Sequence, residues 1–358
     1  MMRTTILTVL ALASLAPAAA VADATDDFRA LLEEHWEWVL AENPVFASRL
    51  GDRRYNDQWQ DMSLDAIESR FDKERDFLRR LLAIDPGSLD ETERLNYDLF
   101  RRSLQDDIEG QRFRTHLMPM SQRGGVQSLE STAEGLRLTT VRDYEDWLAR
   151  MANIETVVEQ TMELLDEGRR TGYMPPKVLM ERIPAQISAQ LVEEPNESPY
   201  YKAFADLPAG FEVADRERLE ALAAELIEDS IVPAYRRFER YFVNTYLPAS
   251  RDTIGASALP DGAAFYEYRA RLYTTTQMTP DEIHRLGLEE VARIRREMQL
   301  VIDELEFDGS FSDFLEFLRT DPQFYYDSPE ALFEGYLAVS KRIDPLLVGL
   351  YGQLPRMQ

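Results

Sequence analysis

The sequence predicts an all-α fold, and three observations carry that expectation. Nearly every informative stretch repeats its apolar residues with a period near 3.6. No run alternates apolar and polar residues strictly enough for a strand. Helix-start signals stand ahead of several periodic stretches. In the clearest case Thr279 is placed to cap, Pro280 takes the first helical position and Glu282 completes a capping box. Behind it His284, Val291, Met298 and Leu305 recur every seventh residue, interleaved with Gly287, Ile294 and Val301. That stripe is expected to be buried. The architecture to expect is a multi-helix array, with room for a small β-hairpin in 111–139.

Met1 to Ala24 reads as a signal peptide. Arg3 supplies the positive start, Ile6 to Ala16 the apolar run, and Ala18-Ala19-Ala20 or Ala22-Asp23-Ala24 the small-x-small site. That run is shorter than the ~18 apolar residues a membrane helix needs. Residues 25–358 then form one helical domain. Phe28, Leu31, His35, Trp38 and Val39 line its first helix, ended by Asn43-Pro44. Ser63 starts a second, with Leu64, Ile67, Phe71, Leu78 and Leu81 inward. Asp90 and Glu93 spell a capping box before Leu95, Leu99 and Ile108. The period lapses over 111–139, which holds Met118-Pro119-Met120 and Gly124-Gly125.

Thr140 and Asp143 cap a long helix that Gly172 ends. Pro175-Pro176 opens another, which Pro184 kinks or stops. Residues 193–211 are a loop, with Pro195, Pro199 and Pro208 in turn contexts. A helix from about Ala214 to Tyr246 is expected to be interrupted at Pro233 and stopped by Leu247-Pro248. After the capped helix come Ser312 to Arg319, and then a last helix opened by Ser328-Pro329 and closed before Asp344-Pro345.

The chain has 358 residues, 44% of them apolar, with 65 acidic against 40 basic side chains and a net charge of −25. Such a surface repels phosphate backbones and anionic lipid, so nucleic acid is not an expected partner. No stretch after the leader is apolar enough to span a bilayer. With no cysteine, neither a disulfide framework nor acylation at a cleavage-site Cys is available. A soluble exported protein that is not a lipoprotein is expected, in the periplasm where the cell has two membranes.

Chemistry-bearing motifs are sparse. A helical metal site needs a second ligand three or four residues from the first. His35 has Leu31, Leu32, Trp38 and Val39 at those offsets; His284 has Pro280, Gly287 and Leu288, with Asp281 in the first turn where the helix dipole already favours an acid. Both are expected to be core or half-buried histidines, and His116 a surface loop residue. Gly255-Ala256-Ser257-Ala258-Leu259 has Leu where a nucleophile elbow needs Gly. Gly124-Gly125 alone is a weak anion-binding signal. Trp36 and Trp38 read as packing. The most site-like arrangement is the turn Leu259-Pro260-Asp261-Gly262 delivering Tyr266 and Tyr268 toward the capped helix. No catalytic or metal-ligating set is complete within the chain.

Several stretches together resemble one bacterial family. They are Asn43-Pro44-Val45-Phe46-Ala47-Ser48-Arg49-Leu50-Gly51, Asp61-Met62-Ser63, Val232-Pro233-Ala234-Tyr235, Leu259-Pro260-Asp261-Gly262 with Tyr266, and Thr274-Thr275-Thr276. Thr279 to Leu288, Asp313 to Pro322 and Lys341 to Pro345 extend the match over nearly all of 26–356. This ordered set is similar to the domain-of-unknown-function 885 proteins, regarded as gluzincin-type zinc metallopeptidases. The resemblance implies a zinc-dependent peptidase acting on peptides. The family's His-Glu-x-x-His signature follows the piece similar to Leu354-Pro355, so the likeness is to the N-terminal half of such a protein. It therefore carries no zinc ligand and no catalytic residue onto this chain, which alone is expected to be inactive. Its helices would wall one side of the cleft, with Tyr266, Tyr268, Gly124 and Gly125 as the candidate substrate contacts. The alternative is a non-enzymatic helical binding module in the periplasm.

Overall fold

Helices begin where the side chains say they should. The computed structural model describes residues 16–354, so most of the expected leader 1–24 lies outside the described residues. Contacts divide the chain into a first compact unit ending at Gln277 and a second beginning at Met278.

In the first unit, α1 (Ala16–Glu42) and α2 (Pro44–Arg49) are separated by Asn43, with Pro44 opening α2. The Ser63 hydroxyl accepts from the Ala66 N–H and starts α3 (Leu64–Leu81), and Asp90 caps α4 (Glu91–Gln111) through the Glu93 N–H. Glu93 does not reach back to complete the expected box. Its carboxylate turns to Arg29 at 2.7 Å and Asn96 at 3.1 Å, tying α4 to α1. The buried face of α4 is accordingly Tyr97 and Leu104, while Leu95 and Leu99 are exposed. Phe28, Leu31, Phe77, Leu81, Tyr97 and Leu104 make one apolar cluster here.

The hairpin expected in 111–139 is reduced to one antiparallel bridge, Ser121 with Gly124, between 3₁₀ turns at Thr115–Leu117 and Val126–Gly135. Thr140 and Asp143 form the capping box of α5 (Val141–Ala152). The expected single helix breaks at Asn153 into α5 and α6 (Ile154–Thr171), which Gly172 ends in the left-handed conformation, φ 83°. Pro176 precedes the short α7 (Lys177–Met180), and Pro184 opens rather than breaks α8 (Pro184–Ser188).

Pro233 does not interrupt the next helix. The rod runs through α9 (Val213–Leu226), α10 (Val232–Tyr241) and α11 (Leu247–Ala249), joined by π turns at Ile227–Ile231 and Phe242–Tyr246. Each π turn ends two residues before a proline, Pro233 or Pro248. A proline has no N–H and its ring strikes the carbonyl four residues back. Bonding with the longer i→i+5 reach relieves that conflict without ending the helix. Leu219, Ala223, Ile227, Ile231 and Tyr235, spaced by four, are all fully buried. In a pure α-helix a step of four drifts about 40° around the axis; the residue added in a π turn brings the row back. These side chains meet Trp147, Met151, Tyr200 and Phe204 in the largest core cluster. The unit closes with α12 (Gly262–Thr274).

The second unit holds α13 (Pro280–Glu304), α14 (Phe311–Thr320) and α15 (Pro329–Leu350). The Thr279–Glu282 capping box forms as expected, and Ser310 with Asp313 builds another. The stripe on α13 is not buried: Val291, Ile294, Met298, Val301 and Leu305 are exposed, as is His284. In this unit Ile302 is the buried residue of α13, and Phe314 that of α14. Helical period identifies an apolar face; it does not supply an element to cover it. Nor does Pro345 end the last helix, because the carbonyl left without a donor belongs to exposed Lys341 and can take water.

One buried cation fixes the irregular segment between α2 and α3. Arg150 of α5 has no exposed surface and donates to the carbonyls of Pro44 (3.1 Å), Tyr55 (2.9 Å) and Gln58 (2.8 Å) and to Ser48 Oγ (2.7 Å). Arg150→Met roughly keeps the volume but removes all four hydrogen bonds and leaves the Gln58 carbonyl without a donor among the described residues. The urea-unfolding free energy is expected to fall by about 3 kcal/mol; a loss well under 1 kcal/mol would show the clamp to be dispensable.

Candidate functional site

Two walls fixed by unrelated means enclose a cleft of about 520 Å³ in the first unit. One wall is α2 with Trp59 and Met62. Trp59 donates Nε1–H to the Arg150 carbonyl at 2.7 Å and meets Trp147 edge-on, ring centroids 6.1 Å apart. The Met62 N–H donates to Gln160 Oε1 at 2.9 Å, while Gln160 Nε2 donates to Asp61 at 2.8 Å. The residues that Arg150 clamps are therefore continuous with those that face the cleft.

The other wall is the Gly124-Gly125 turn and the 3₁₀ segment after it. Ser121 and Gly124 exchange backbone hydrogen bonds at 2.9 and 3.2 Å. Gly125 has φ +146°, and a Cβ there would lie 2.6 Å from Gln127 Oε1 and 3.1 Å from Met120 Cα, so a glycine is required. At Gly124 a Cβ would meet only Ser128 Oγ, at 3.8 Å. Behind the turn, Gln127 Nε2 donates to the Ser121 carbonyl at 2.8 Å. The Tyr235 hydroxyl donates to the Val126 carbonyl at 2.5 Å and pairs with Tyr200 at 2.8 Å. Burial pushes both phenols upward, so they remain protonated donors.

Val126, Leu129 and Val157 give the cleft an apolar lining, with Ser128, Ser131, Thr132 and Thr161 among them. Thr161 is satisfied by the Val157 carbonyl at 2.8 Å. Thr132 is only 5% exposed, yet its hydroxyl has no hydrogen-bond partner among the described residues. Arg49 and Arg123 also line the cleft, and neither Asp nor Glu does.

The sequence candidates separate. Gly124 and Gly125 line this cleft; Tyr268 lines a second cavity of about 310 Å³, with His116, Glu74 and Asp107. The Tyr268 hydroxyl donates to the Asp106 carbonyl at 2.9 Å, and its ring packs on Phe113 at 5.2 Å. A Cβ at Gly110 would lie 2.7 Å from that hydroxyl, which explains the glycine inside α4. Tyr266 is exposed and lines neither cavity. Arg49, Trp59, Arg123 and Thr132 were not singled out from the sequence. The clue nearest to them was the Asn43–Gly51 stretch, whose Pro44 and Phe46 also face the cleft.

Nothing among the described residues gathers three His, Asp or Glu side chains in a way that could hold a metal ion. His35 sits among the rings of Trp38, Phe77 and Phe100, at 5.6, 5.0 and 4.7 Å, and burial lowers its pKa. His116 is half-buried against Phe71 at 5.5 Å, not the surface loop residue expected, and is likewise lowered by burial. A zinc ion does not fit these residues.

Residues 44–358 match the family described as bacterial proteins of unknown function, DUF885. The chain belongs to that family. No curated protein matches it. Among solved structures it is similar to that of the "putative lipoprotein" from Colwellia psychrerythraea, with a TM-score of 0.72 and 14% identity over 95% of this chain. At that identity the likeness establishes the all-helical fold. The DUF885 chain spans 61% of the Colwellia protein's length. No helix among its described residues is long and apolar enough to cross a membrane.

The second cavity of the DUF885 chain gives a pH-dependent prediction. Burial raises the Glu74 pKa above its ordinary 4.5, against a hydrogen bond from Gln111, and the Asp107 charge adds to the rise. With the folded value above the unfolded one, stability is full below pH 4.5 and declines as pH climbs through the folded value. Glu74→Gln keeps the acceptor for Gln111 and removes the buried charge. It should raise the thermal midpoint at pH 7 by roughly 1–3 °C, with no gain at pH 4, as circular dichroism melts at both values would show.

Proposed function

We propose that this chain supplies one substrate-binding wall of an exported, periplasmic peptidase, and that the cleft between α2 and the Gly124-Gly125 turn holds an extended stretch of peptide. The observation that carries this reading is the cleft itself. Its volume of about 520 Å³ lies within the range of ~300–1,000 Å³ usual for ligand sites. Its lining mixes apolar side chains with nearly as much polar surface, an arrangement that can take peptide side chains while orienting the backbone. Thr132 offers a hydroxyl with no partner, and the Gly125 N–H donates to nothing among the described residues. Both suit the alternating donors and acceptors of a peptide backbone.

The resemblance to zinc peptidases suggests the reaction class, hydrolysis of a peptide bond, for which a bound zinc ion would supply an activated water. The residues described here take no part in holding that metal. What they do is bind, orient and exclude water on one side of the substrate.

Gly124 provides a clean test. A side chain placed there projects into open cleft, so Gly124→Leu should leave the thermal midpoint within about 2 °C of wild type. Binding of unlabelled Ala-Leu hexapeptides, followed through tryptophan emission to which Trp59 contributes, should weaken at least tenfold. Saturable binding that Gly124→Leu leaves untouched would place the peptide site elsewhere.

A further inference from the structure

The cleft is an electrostatic exception in its own protein. The sequence carries 65 acidic residues, yet none lines this cavity, whereas Arg49 and Arg123 do. Neither guanidinium makes an ion pair or a side-chain hydrogen bond among the described residues, and both residues are exposed. A separate pocket lined by Arg53, Arg142, Asp143 and Asp146 differs in this respect. Its arginines are already matched to acids, Arg53 to Asp143 and Arg142 to Asp146, the latter at 2.8 Å. Two cations left without counter-charge beside an apolar floor lose no existing partner when an anion arrives.

Resting on the reading of this cleft as a peptide site, we infer that it selects its peptide by a carboxylate, engaged by Arg49 and Arg123. An arginine fork matches a carboxylate with two parallel N–H···O bonds, a geometry that a surface lysine does not offer. The Thr132 hydroxyl, which has no hydrogen-bond partner among the described residues, supplies a further donor inside the same cavity. The net charge of −25 does not cancel this attraction. At physiological ionic strength exposed charges are screened beyond about 8 Å, so charges at the cleft outweigh the distant acids. Two sources present the same chemistry: the free C-terminus of a peptide and an Asp or Glu side chain within it.

Calorimetric titration of the whole chain with three hexapeptides of one sequence separates the sources: the free acid, its C-terminal amide, and the amide carrying one internal Asp. The free acid is expected to bind at least tenfold more tightly than the plain amide, with an advantage that shrinks as salt is raised. If the Asp-bearing amide regains that affinity, a side-chain carboxylate suffices; if it does not, the cleft reads the C-terminus. Either result supports the inference. In the Arg49→Gln/Arg123→Gln double variant, whose changes touch no ion pair, the ratio of acid to amide affinity should fall to below about twofold, whatever the amide's own affinity becomes. Equal affinity for acid and amide in the wild type, or an advantage that survives the double variant, overturns carboxylate selection and leaves the peptide site standing. Absence of saturable binding by all three peptides overturns both.

Discussion

The guanidinium of Arg150 hydrogen-bonds three carbonyls and a hydroxyl from the segment between Pro44 and Gln58, and the position of the cleft's first wall depends on that interaction. The segment contains only the short α2 and a 3₁₀ turn at Arg53–Tyr55, too little apolar surface to anchor itself. A charge inside the protein demands acceptors, and backbone carbonyls of an irregular segment demand donors. The three carbonyls and the Ser48 hydroxyl accept from Nε and Nη2, while Nη1 stays buried without a partner among the described residues. Desolvation lowers the Arg150 pKa to about 10, which leaves it charged at neutral pH and keeps all its donors available. The aromatic face of Trp59, 5.5 Å from the cation, shields it further.

The second wall is held by a different device. Tyr235 reaches the Val126 carbonyl from the long π-bulged rod, so the phase of that rod sets the height of the Gly124-Gly125 turn. Were the rod a regular α-helix, the four-residue row from Leu219 to Tyr235 would wind about 160° around the axis, and Tyr235 would leave the core. Pro233, through the π turn before it, therefore acts on the cleft from a distance, through one phenol.

Much of the fold was legible because it is locally encoded. The boxes at Thr140 and Thr279, the cap at Ser63 and the left-handed stop at Gly172 are written in side chains within a turn of where they act. Reading failed where a distant partner intervened. Glu93 was spelled as a capping residue and went to Arg29 instead. Pro233 was read as a break because a π turn has no signature in apolar period. The α13 stripe was read as buried because period reports which face is apolar, not whether anything lies on it. The site followed the same division. The Gly124-Gly125 pair was visible as an unusual dipeptide, whereas Arg49, Arg123 and Thr132 matter through what they lack, an acid or an acceptor nearby, and sequence does not display neighbours.

The two glycines of the turn are adjacent in the chain and opposite in what they permit. Gly125 has a conformation and a crowding that admit no side chain, while Gly124 faces open space. Mutation can therefore drift freely at the first position and change the depth of the cleft in single steps, with folding held constant by the second. Closely related proteins could diverge in ligand preference through that one codon, leaving the scaffold untouched.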